Sequence, residues 1–581
     1  MYRIRCIVER ITFQSSDTGY SVLKVSVKGY QELVTVVGNL ADAVVGSVLL
    51  IEGDWTNNPK YGTQFSAQKW EETVPATVYG IEKYLGSGLI KGVGAVYAKK
   101  IVKKFGTDTI AVIEDSPERL AEVDGIGKKR IARISESWER QKEIKNIMMF
   151  LQNYDISTAF AAKIYKHYGN DSIETVKKNP YKLADDIWGI GFKTADKIAF
   201  KLGFEKDNPE RCRSGILYTL NQLADEGHVY AEKEQLLQKC TELLEIDIPT
   251  VENALNKTIE RNDLIIEEDA IYLPPFYFSE CGTAEKLLEL ADSDTILNHN
   301  VKINISALEQ KLHIQYDDIQ AQGIQQAVSS KVMILTGGPG TGKTTTTLGI
   351  IETLKSLGNK ILLAAPTGRA AKRMTEATGM EAKTIHRLLE YSPEKGYQRN
   401  KDNFLDGDVL IVDESSMIDI ILMYSLLKAI PLHMKLILVG DIDQLPSVGA
   451  GNVLRDIIDS GKFPVVRLTK IFRQAQSSQI IMNAHRINKG EFPNLKNQHG
   501  TDFFFIKCEE PEQAANEIIG LVKSRLPKYC RVNPTDIQVL TPMQRGVIGA
   551  ANLNQLLQQN LNPAQSWLTR GSHTYRLYDK V

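Results

Sequence analysis

The residues Gly337–Thr344 have the types and the spacing that hold a nucleoside triphosphate. They fit the pattern G-x-x-x-x-G-K-[ST], in which backbone N–H groups and a helix N-terminus face the phosphates. Lys343 would reach the β- and γ-phosphate oxygens, and the Thr344 hydroxyl would ligate Mg²⁺. The candidate nucleotide-binding residues of this loop are Gly337, Gly338, Pro339, Gly340, Thr341, Gly342, Lys343 and Thr344.

A second, acidic motif supplies what such a loop needs for hydrolysis. Asp413 and Glu414 follow the apolar run Val409–Val412, which is typical of a buried strand. Ligands bind at the carboxyl ends of strands in open α/β sheets, so Asp413 would hold Mg²⁺ through water and Glu414 would deprotonate the attacking water. An isolated Asp-Glu pair could also be a solvated loop, but its distance from Gly337–Thr344 favours the catalytic interpretation.

The elements around these motifs predict a parallel α/β sheet. The apolar run Lys331–Thr336 leads into the glycine-rich loop as a strand, and Thr345–Leu354 continues it as a helix. A further strand, Lys435–Asp441, precedes Gln444, which could sense the γ-phosphate. Alternation of strands and helices from about residue 300 indicates α/β architecture. We predict a P-loop α/β domain over residues 296–465 and a further domain over residues 466–581, which the resemblance described below implies to be the first and second RecA-like motor domains.

The N-terminal part of the chain is predicted to be a small β-barrel. Residues 1–76 contain short runs of alternating apolar and polar residues, such as Tyr20–Val27 and Leu33–Val37, separated by glycine and aspartate turns. About five such strands in this length suggest a barrel of the OB type. A generic β-domain is the alternative.

Residues 77–205 change to short helices joined by three Gly-hydrophobic-Gly turns. The three segments are Lys91–Val102, Asp124–Ala132 and Trp188–Ala199. They resemble the all-α helix–hairpin–helix motif, whose glycines let backbone N–H groups approach a DNA phosphate. One such turn could be an ordinary helix C-cap, whereas three copies followed by basic residues favour DNA binding. The candidate contacts are Gly92, Gly94, Gly125, Gly127, Gly189 and Gly191.

Residues 206–295 are predicted to be a helical connector. Two helical runs precede a short β-like pair at Leu264–Glu267 and Ala270–Leu273. This order could be a winged-helix fold, and a plain connecting helical domain is equally compatible with the pattern.

The whole chain excludes several classes of protein. Its 581 residues require several domains, and 43% hydrophobic with 24% charged residues is a globular composition. We find no apolar run long enough to span a bilayer and no signal peptide, so no membrane partner is expected. Six scattered cysteines without a C-x-x-C pair favour a reducing, cytoplasmic location. The net charge of −1 decides nothing about nucleic acid, because local patches govern such binding.

Taken in order, the motifs resemble those of superfamily-1 DNA helicases, and within them the RecD-like group. The N-terminal barrel and hairpin turns match the long, stand-alone form of these enzymes, so the resemblance covers essentially the whole chain. The segments that carry it are Gln320, Leu335–Thr344, Ala365–Met374, Thr384–Arg387, Val412–Ser416, Val439–Pro446, Ile471–Gln474 and Gln538–Arg545.

The resemblance implies further roles. Gln320 would recognise the adenine of ATP, and Gln444 would link the γ-phosphate to DNA. Arg473, from the second motor domain, would act as an arginine finger. The single-strand track would be lined by Pro366, Thr367, Arg369, Lys372 and His386.

For two of these features the sequence leaves an alternative open. Lys372 could equally lie on an ordinary solvated helix surface. Residues 391–404 occupy the place of a small strand-separating pin in this family, and a plain loop is the competing interpretation.

The expected function is an ATP- and Mg²⁺-dependent DNA helicase that moves 5′→3′ on single-stranded DNA in recombination or repair. Its partners would be single-stranded DNA and duplex junctions. Two further motifs of the family are absent before Val581, so the second motor domain is expected to be incomplete. The alternatives are a truncated, non-translocating protein that binds nucleotide and DNA, and a P-loop ATPase or kinase acting on a small molecule. The hairpin turns argue against the small-molecule enzyme.

Overall fold

The computed structural model describes residues 2–579 except 15–19, 28–29, 31, 41–42, 44–47, 59–61, 74–77, 79–80, 83–84, 86–92, 155, 157, 294–302, 473–475 and 571–572. The chain divides into two compact units, one formed by Lys206–Lys507 and the other by Met1–Glu205 with Cys508–Val581. Within the described ranges, no helix has both the length and the apolar surface needed to cross a membrane.

The N-terminal strands close into a barrel, which confirms the predicted barrel fold. The strand order is β1-β2-β3-β5-β4, with β1 and β4 antiparallel and β3 and β5 parallel. Alternate residues point inward, because successive side chains of a strand point to opposite faces. Leu23, Val25, Leu49 and Phe65 are among the buried core residues. The strands are β1 Tyr2–Gln14, β2 Tyr20–Val27, β3 Val34–Asn39, β4 Val48–Asn58 and β5 Gly62–Thr73.

The helical region that follows contains the same arrangement twice. Each copy has an eleven-residue helix, a Gly-x-Asp 3₁₀ turn, a seven-residue helix, a Gly-Ile-Gly turn and a further helix. Each copy also buries its own core, one around Ile101 and Ile126 and the other around Ile164 and Ile190. The helices are α1 Ala95–Phe105, α2 Thr109–Asp115, α3 Lys128–Asn153, α4 Thr158–Tyr168, α5 Ser172–Lys178, α6 Lys182–Asp186 and α7 Phe192–Lys201.

Residues 206–292 form three helices, a small sheet and one long helix. The three strands pair antiparallel in the order β6-β8-β7. We retain the winged-helix interpretation of this part as a proposal. The elements are α8 Pro209–Asp225, β6 Tyr230–Glu232, α9 Lys233–Leu244, α10 Ile248–Glu260, β7 Ile265–Glu267, β8 Ala270–Tyr272 and α11 Pro274–Asp292.

A six-stranded parallel sheet forms the centre of the unit Lys206–Lys507, as the strand–helix alternation predicts. Its order is β11-β10-β14-β15-β9-β16. The strands are β9 Val332–Gly337, β10 Ile361–Ala365, β11 Ala382–Thr384, β14 Val409–Val412, β15 Lys435–Gly440 and β16 Val465–Leu468.

The sheet is buried on both faces. Ile334, Leu410 and Leu438 belong to one hydrophobic cluster, while their neighbours Leu335 and Ile411 belong to the cluster on the opposite face. Strands buried on both faces read as continuous apolar runs, which is why the sequence pattern predicts them.

Helices cover both faces of this sheet. Between β11 and β14 lies a short hairpin of β12 Tyr391–Ser392 and β13 Gly396–Tyr397. The helices are α12 Ile305–Leu312, α13 Asp318–Ser329, α14 Lys343–Ser356, α15 Gly368–Thr378, α16 Ile385–Leu388, α17 Ile420–Lys428, α18 Val453–Asp459 and α19 Gln479–Asn488.

The last described residues form helices and a two-stranded sheet. Gln538–Arg545, which carries one of the motifs named above, has no regular secondary structure. The predicted domain boundaries stay predictions. The elements are α20 Pro511–Gly520, a π-helical turn at Leu521–Arg525, α21 Leu526–Cys530, α22 Ala550–Leu561, β17 Trp567–Arg570 and β18 His573–Arg576.

Candidate active site

The glycine-rich loop joins β9 to α14 in a conformation that depends on its glycines. Gly342 has φ of +87° directly before the first residue of α14, a conformation that side chains other than glycine rarely adopt. A Cβ atom at Gly342 would lie 2.4 Å from Nε2 of Gln320. A Cβ at Gly337 would lie 2.8 Å from the carbonyl oxygen of Leu468. The loop is therefore held in a shape that leaves its N-terminal helix end open to an anion.

The sheet order brings the acidic residues to this loop. Strand β15 lies beside β9 and β14 lies beside β15, and Asp413 and Asp441 follow directly after β14 and β15. Lys343 Nζ lies 3.7 Å from Oδ2 of Asp441. The same ammonium donates hydrogen bonds to the carbonyl oxygens of Gly337 and Gly338. The lysine is thus held at the phosphate loop by groups that a phosphate could replace as partners.

The two neighbouring carboxyl groups are partly buried at this edge. Burial raises the pKa of Asp413, against a hydrogen bond from the Glu414 backbone N–H and the charges of Lys343 and Arg373. Burial also raises the pKa of Glu414, and the negative charge of Asp413 adds to the rise. Glu414 has φ of +53°, and its Oε2 atom is buried without a hydrogen-bond partner among the described residues. A strained backbone and an unpaired buried oxygen are features of catalytic positions.

These side chains line one cleft with a volume of about 810 Å³. The structure brings together in it nearly all the residues predicted to bind and hydrolyse nucleotide. Those lining the cleft are Gly338, Pro339, Gly340, Thr341, Gly342, Lys343, Thr344, Asp413, Glu414 and Gln444. Arg473 lies outside the described residues.

Gln320 lies beneath the loop and is fully buried. Its side-chain oxygen accepts a hydrogen bond from the Asp317 backbone N–H at 3.1 Å, which completes the capping box of α13. Its Nε2 group has no partner in the described part of the chain. An unpaired buried amide is costly, so a ligand atom that reached this group would gain a hydrogen bond, although Gln320 does not line the cleft in this structure.

Arg373, Phe472 and His485 are among the residues of the site that were not predicted to take part in it. Arg373 and Phe472 line the cleft, and Phe472 would lie 3.1 Å from a Cβ at Gly342. His485, on α19, contacts the carbonyl oxygen of Pro339 through Nε2 at 3.3 Å. Arg373 was within reach of sequence reasoning, because it lies in the segment Ala365–Met374, which carries the resemblance. His485 and Phe472 reach the loop only through packing of distant segments.

The residues predicted to line the single-strand track follow β10 and β11. The Thr367 side chain caps α15 by accepting a hydrogen bond from the Ala370 N–H at 3.2 Å. Pro366 precedes it, and Arg369 is exposed on the first turn of that helix. Lys372 is also exposed, with Nζ 3.9 Å from Oε1 of Glu376, so its surface-helix alternative stays open.

His386 lies beside the short β12–β13 hairpin, where residues 391–404 were predicted to form a pin. Its ring centroid is 5.7 Å from that of Tyr391 and 5.9 Å from that of Tyr397. The two tyrosine rings are 4.9 Å apart. Tyr391 is exposed, so this aromatic cluster offers a surface on which a base could stack.

Two of the Gly-hydrophobic-Gly turns are described in full. Gly125 has φ of +89° and Gly189 has φ of +96°. Gly127 and Gly191 each precede a helix, and a Cβ atom at either would meet no atom within 4 Å. The same openness holds at Gly94, whereas Gly92 lies outside the described residues. The second glycine of each turn therefore has open space beside it, at the start of the following helix, where a large anion could approach.

Comparisons with known proteins find the same parts in the same order. Residues 1–75 match the family "ATP-dependent DNA helicase YrrC, OB-fold domain", 87–140 match "SAM-like Helix-hairpin-helix tandem", 140–230 match "ATP-dependent RecD2 DNA helicase HHH domain" and 320–450 match "AAA domain". The chain is 31% identical to the ATP-dependent RecD2 DNA helicase of Deinococcus radiodurans, over 97% of its own length and 79% of that protein. The chain belongs to the RecD2 DNA helicase family. This membership confirms the predicted RecD-like resemblance and the OB, helix–hairpin–helix and P-loop fold classes.

Other similarities to this RecD2 family member cover less of the chain. The RecBCD enzyme subunit RecD of Mycolicibacterium smegmatis is 34% identical over 34% of this chain and 41% of that protein. The RecD subunit of Mycobacterium tuberculosis H37Rv is 41% identical over 24% of this chain and 29% of that protein. The crystal structure of the Pif1 helicase from Candida albicans overlaps 37% of this chain and 55% of that chain at 22% identity, with a TM-score of 0.27. That overlap is too low to bear on the fold.

Proposed function

We propose that this RecD2-family chain uses ATP hydrolysis to move 5′→3′ along single-stranded DNA and to open duplex junctions during recombination or repair. The observation that carries the proposal is the single cleft in which the glycine-rich loop, Lys343, Glu414 and Gln444 meet. No other described surface combines a phosphate-binding loop with a buried, unpaired carboxylate oxygen.

The residues of the cleft would have different roles in ATP hydrolysis. Lys343 and the N–H groups of Gly340–Thr344 would bind the β- and γ-phosphates. Glu414 would accept the proton of the attacking water, since its unpaired Oε2 needs a donor. Gln444 would contact the γ-phosphate, and the predicted finger Arg473 would neutralise charge on it. Gln320 would donate its free Nε2 group to the adenine ring.

The donor set also fits Mg²⁺. A hydroxyl at Thr344 and a carboxylate at Asp413 both line the cleft, and Mg²⁺ prefers oxygen ligands with several retained waters. Bound there, the ion would neutralise negative charge on the phosphate oxygens. Its positive charge would also offset the cost of burying the two carboxylates.

A single helix connects the cleft with the proposed DNA track. Helix α15 carries Arg369 and Lys372, which we assign to the track with Pro366 and Thr367, and it also carries Arg373 in the cleft. If this helix moved when nucleotide binds, the residues assigned to the DNA track would therefore move with it. At least one of the hairpin turns would hold a duplex phosphate through its glycines, and the aromatic cluster at His386 would meet the separating strand.

The direction of movement is tested by unwinding of short duplexes with a single-stranded tail on one end. We expect strand separation with a 5′ tail, ATP and Mg²⁺, and none with a 3′ tail or with the Lys343→Ala variant. Equal separation from both tails, or faster separation from the 3′ tail, would contradict the proposed polarity.

A further inference from the structure

The internal duplication of the hairpin region places two equivalent turns in different surroundings. We call Asp124–Gly127 the Asp124 turn and Trp188–Gly191 the Trp188 turn. Both contain Gly-Ile-Gly, with φ of +89° at Gly125 and +96° at Gly189. A lysine of the first helix of each copy, Lys100 or Lys163, donates to the carbonyl oxygen of the turn's first residue at 3.4 Å. The two turns therefore have the same backbone conformation, and their side chains differ.

The Asp124 turn contacts side chains of the protein itself. Arg130 donates to the Gly125 carbonyl oxygen at 2.7 Å, and its guanidinium lies 4.0 Å from the ring centroid of Tyr97. The Asp124 carboxylate is fully exposed, with Oδ2 3.5 Å from Lys100 Nζ. An exposed carboxylate at the tip repels a DNA phosphate, so this turn is poorly suited to bind one.

The Trp188 turn presents an apolar ring instead. The Trp188 side chain is 93% exposed at the tip. Lys163 Nζ lies 5.7 Å from its ring centroid and would lie 3.4 Å from a Cβ at Gly189. Thr194 stands three residues after Gly191, where Arg130 stands three residues after Gly127. The turn thus combines accessible N–H groups, a cation and an exposed indole.

The chemistry of these groups fits a nucleobase beside a phosphate. A Lys163 ammonium and backbone N–H groups attract phosphate oxygens, and an indole offers a face on which a base can stack. Asp186, close to the turn in sequence, has its carboxylate hydrogen-bonded by the Tyr168 hydroxyl at 2.7 Å. Bases inside a duplex are already stacked on both sides, so a free base face is found at a duplex end or junction.

We propose that Trp188 stacks on the unstacked nucleobase at a junction of single- and double-stranded DNA, while the Trp188 turn holds the adjoining phosphate and the Asp124 turn makes no DNA contact. This inference rests on the proposed function, because it assigns the DNA contacts of the helix–hairpin–helix region. It gives that region a preference for junctions over continuous duplex.

The test compares full-length Trp188→Ala, Trp188→Phe and Asp124→Ala, with binding measured by fluorescence anisotropy of a forked duplex. A second reporter is 2-aminopurine placed at the junction, whose fluorescence falls when an aromatic ring stacks on it. We expect Trp188→Ala to weaken fork binding roughly 5- to 100-fold, the range for loss of one base–aromatic stack. It should also abolish the 2-aminopurine change, while Trp188→Phe retains most of both and Asp124→Ala retains all.

Two controls separate this inference from the function on which it rests. Because Trp188 is exposed, Trp188→Ala should unfold at the parent temperature and keep ATP hydrolysis stimulated by oligo(dT). Loss of that stimulation in the parent itself would instead count against the proposed function. Fork binding by Trp188→Ala equal to the parent, or equal losses in Trp188→Ala and Asp124→Ala, would overturn the inference.

Discussion

Lys343 and Glu414 carry opposite charges in a cleft where burial disfavours the charged form of a side chain. Burial and the neighbouring carboxylate raise the pKa of Glu414, and the cations Lys343 and Arg373 lower it. A base that must be ionised at neutral pH therefore depends on the positive groups around it. The P-loop glycines, the lysine and the acidic pair were all recognisable from the sequence because each motif is local. Arg373 was not assigned to the site, although its charge acts on both carboxyl groups.

Arg373 gives the first prediction at this scale. Arg373→Gln should lower kcat for ATP hydrolysis at least about tenfold. The substitution removes a positive group from the cleft, where negative charge develops on the phosphate oxygens in the transition state. The measurement is steady-state ATP hydrolysis, made both without DNA and at saturating DNA. Lys372→Gln, one residue earlier on the same helix and outside the cleft, is the matched control and should keep the parent kcat without DNA. Equal kcat in parent and Arg373→Gln would show that the arginine has no role in hydrolysis.

Gln320 gives the second prediction. Gln320→Glu keeps the side-chain oxygen that accepts the Asp317 N–H, so it preserves the capping box of α13, but it removes the Nε2 donor. We expect KM for ATP to rise about 10-fold or more and the preference for ATP over GTP to shrink, since a lost donor leaves a ligand atom unpaired. Competition between ATP and GTP in the hydrolysis assay measures this. An unchanged preference would remove Gln320 from base recognition.

At the scale of elements, the position of the site follows from the order of strands. Because β14, β15 and β9 are neighbours and parallel, their carboxyl ends bring Asp413, Asp441 and the glycine-rich loop to one edge. The apolar strands and the turn glycines were sufficient to predict this sheet and the barrel. The sequence did not predict that His485 on α19 contacts the carbonyl oxygen of Pro339 in the loop. That contact depends on packing between segments 146 residues apart. Nor did the sequence show that Arg130 donates a hydrogen bond to the Gly125 carbonyl oxygen in the Asp124 turn, whereas the Trp188 side chain is exposed in the Trp188 turn.

A close helix contact carries the prediction at this scale. Helix α11 approaches α17 at Gly282, where a Cβ atom would lie 2.3 Å from Cε2 of Tyr424. Gly282→Ala should therefore destabilise the unit Lys206–Lys507 by about 1–3 kcal/mol through overpacking. Thermal unfolding followed by circular dichroism measures the shift. Gly520→Ala, at a helical position with no atom within 4 Å of the new Cβ, should leave stability unchanged or slightly raised. A lowered midpoint in Gly520→Ala alone would contradict the packing argument.

At the scale of the whole molecule, a barrel, a duplicated hairpin region and a P-loop sheet follow one another along one chain of the RecD2 family. Only the sheet holds groups able to hydrolyse ATP, among the residues that the structure describes. The described residues of the barrel and the hairpin region include no comparable set of groups. We therefore expect DNA to control ATP hydrolysis in the cleft around Lys343 and Glu414.

The measurement that tests this claim most directly is ATP hydrolysis by the 581-residue chain with and without single-stranded DNA, beside Lys343→Ala and Glu414→Gln. We predict strong stimulation by DNA in the parent and a loss of about 10²-fold or more in kcat for both variants. Glu414→Gln should still bind ATP, because the loop is intact. DNA binding without stimulated hydrolysis in the parent, or stimulated hydrolysis that survives Lys343→Ala, would contradict the account.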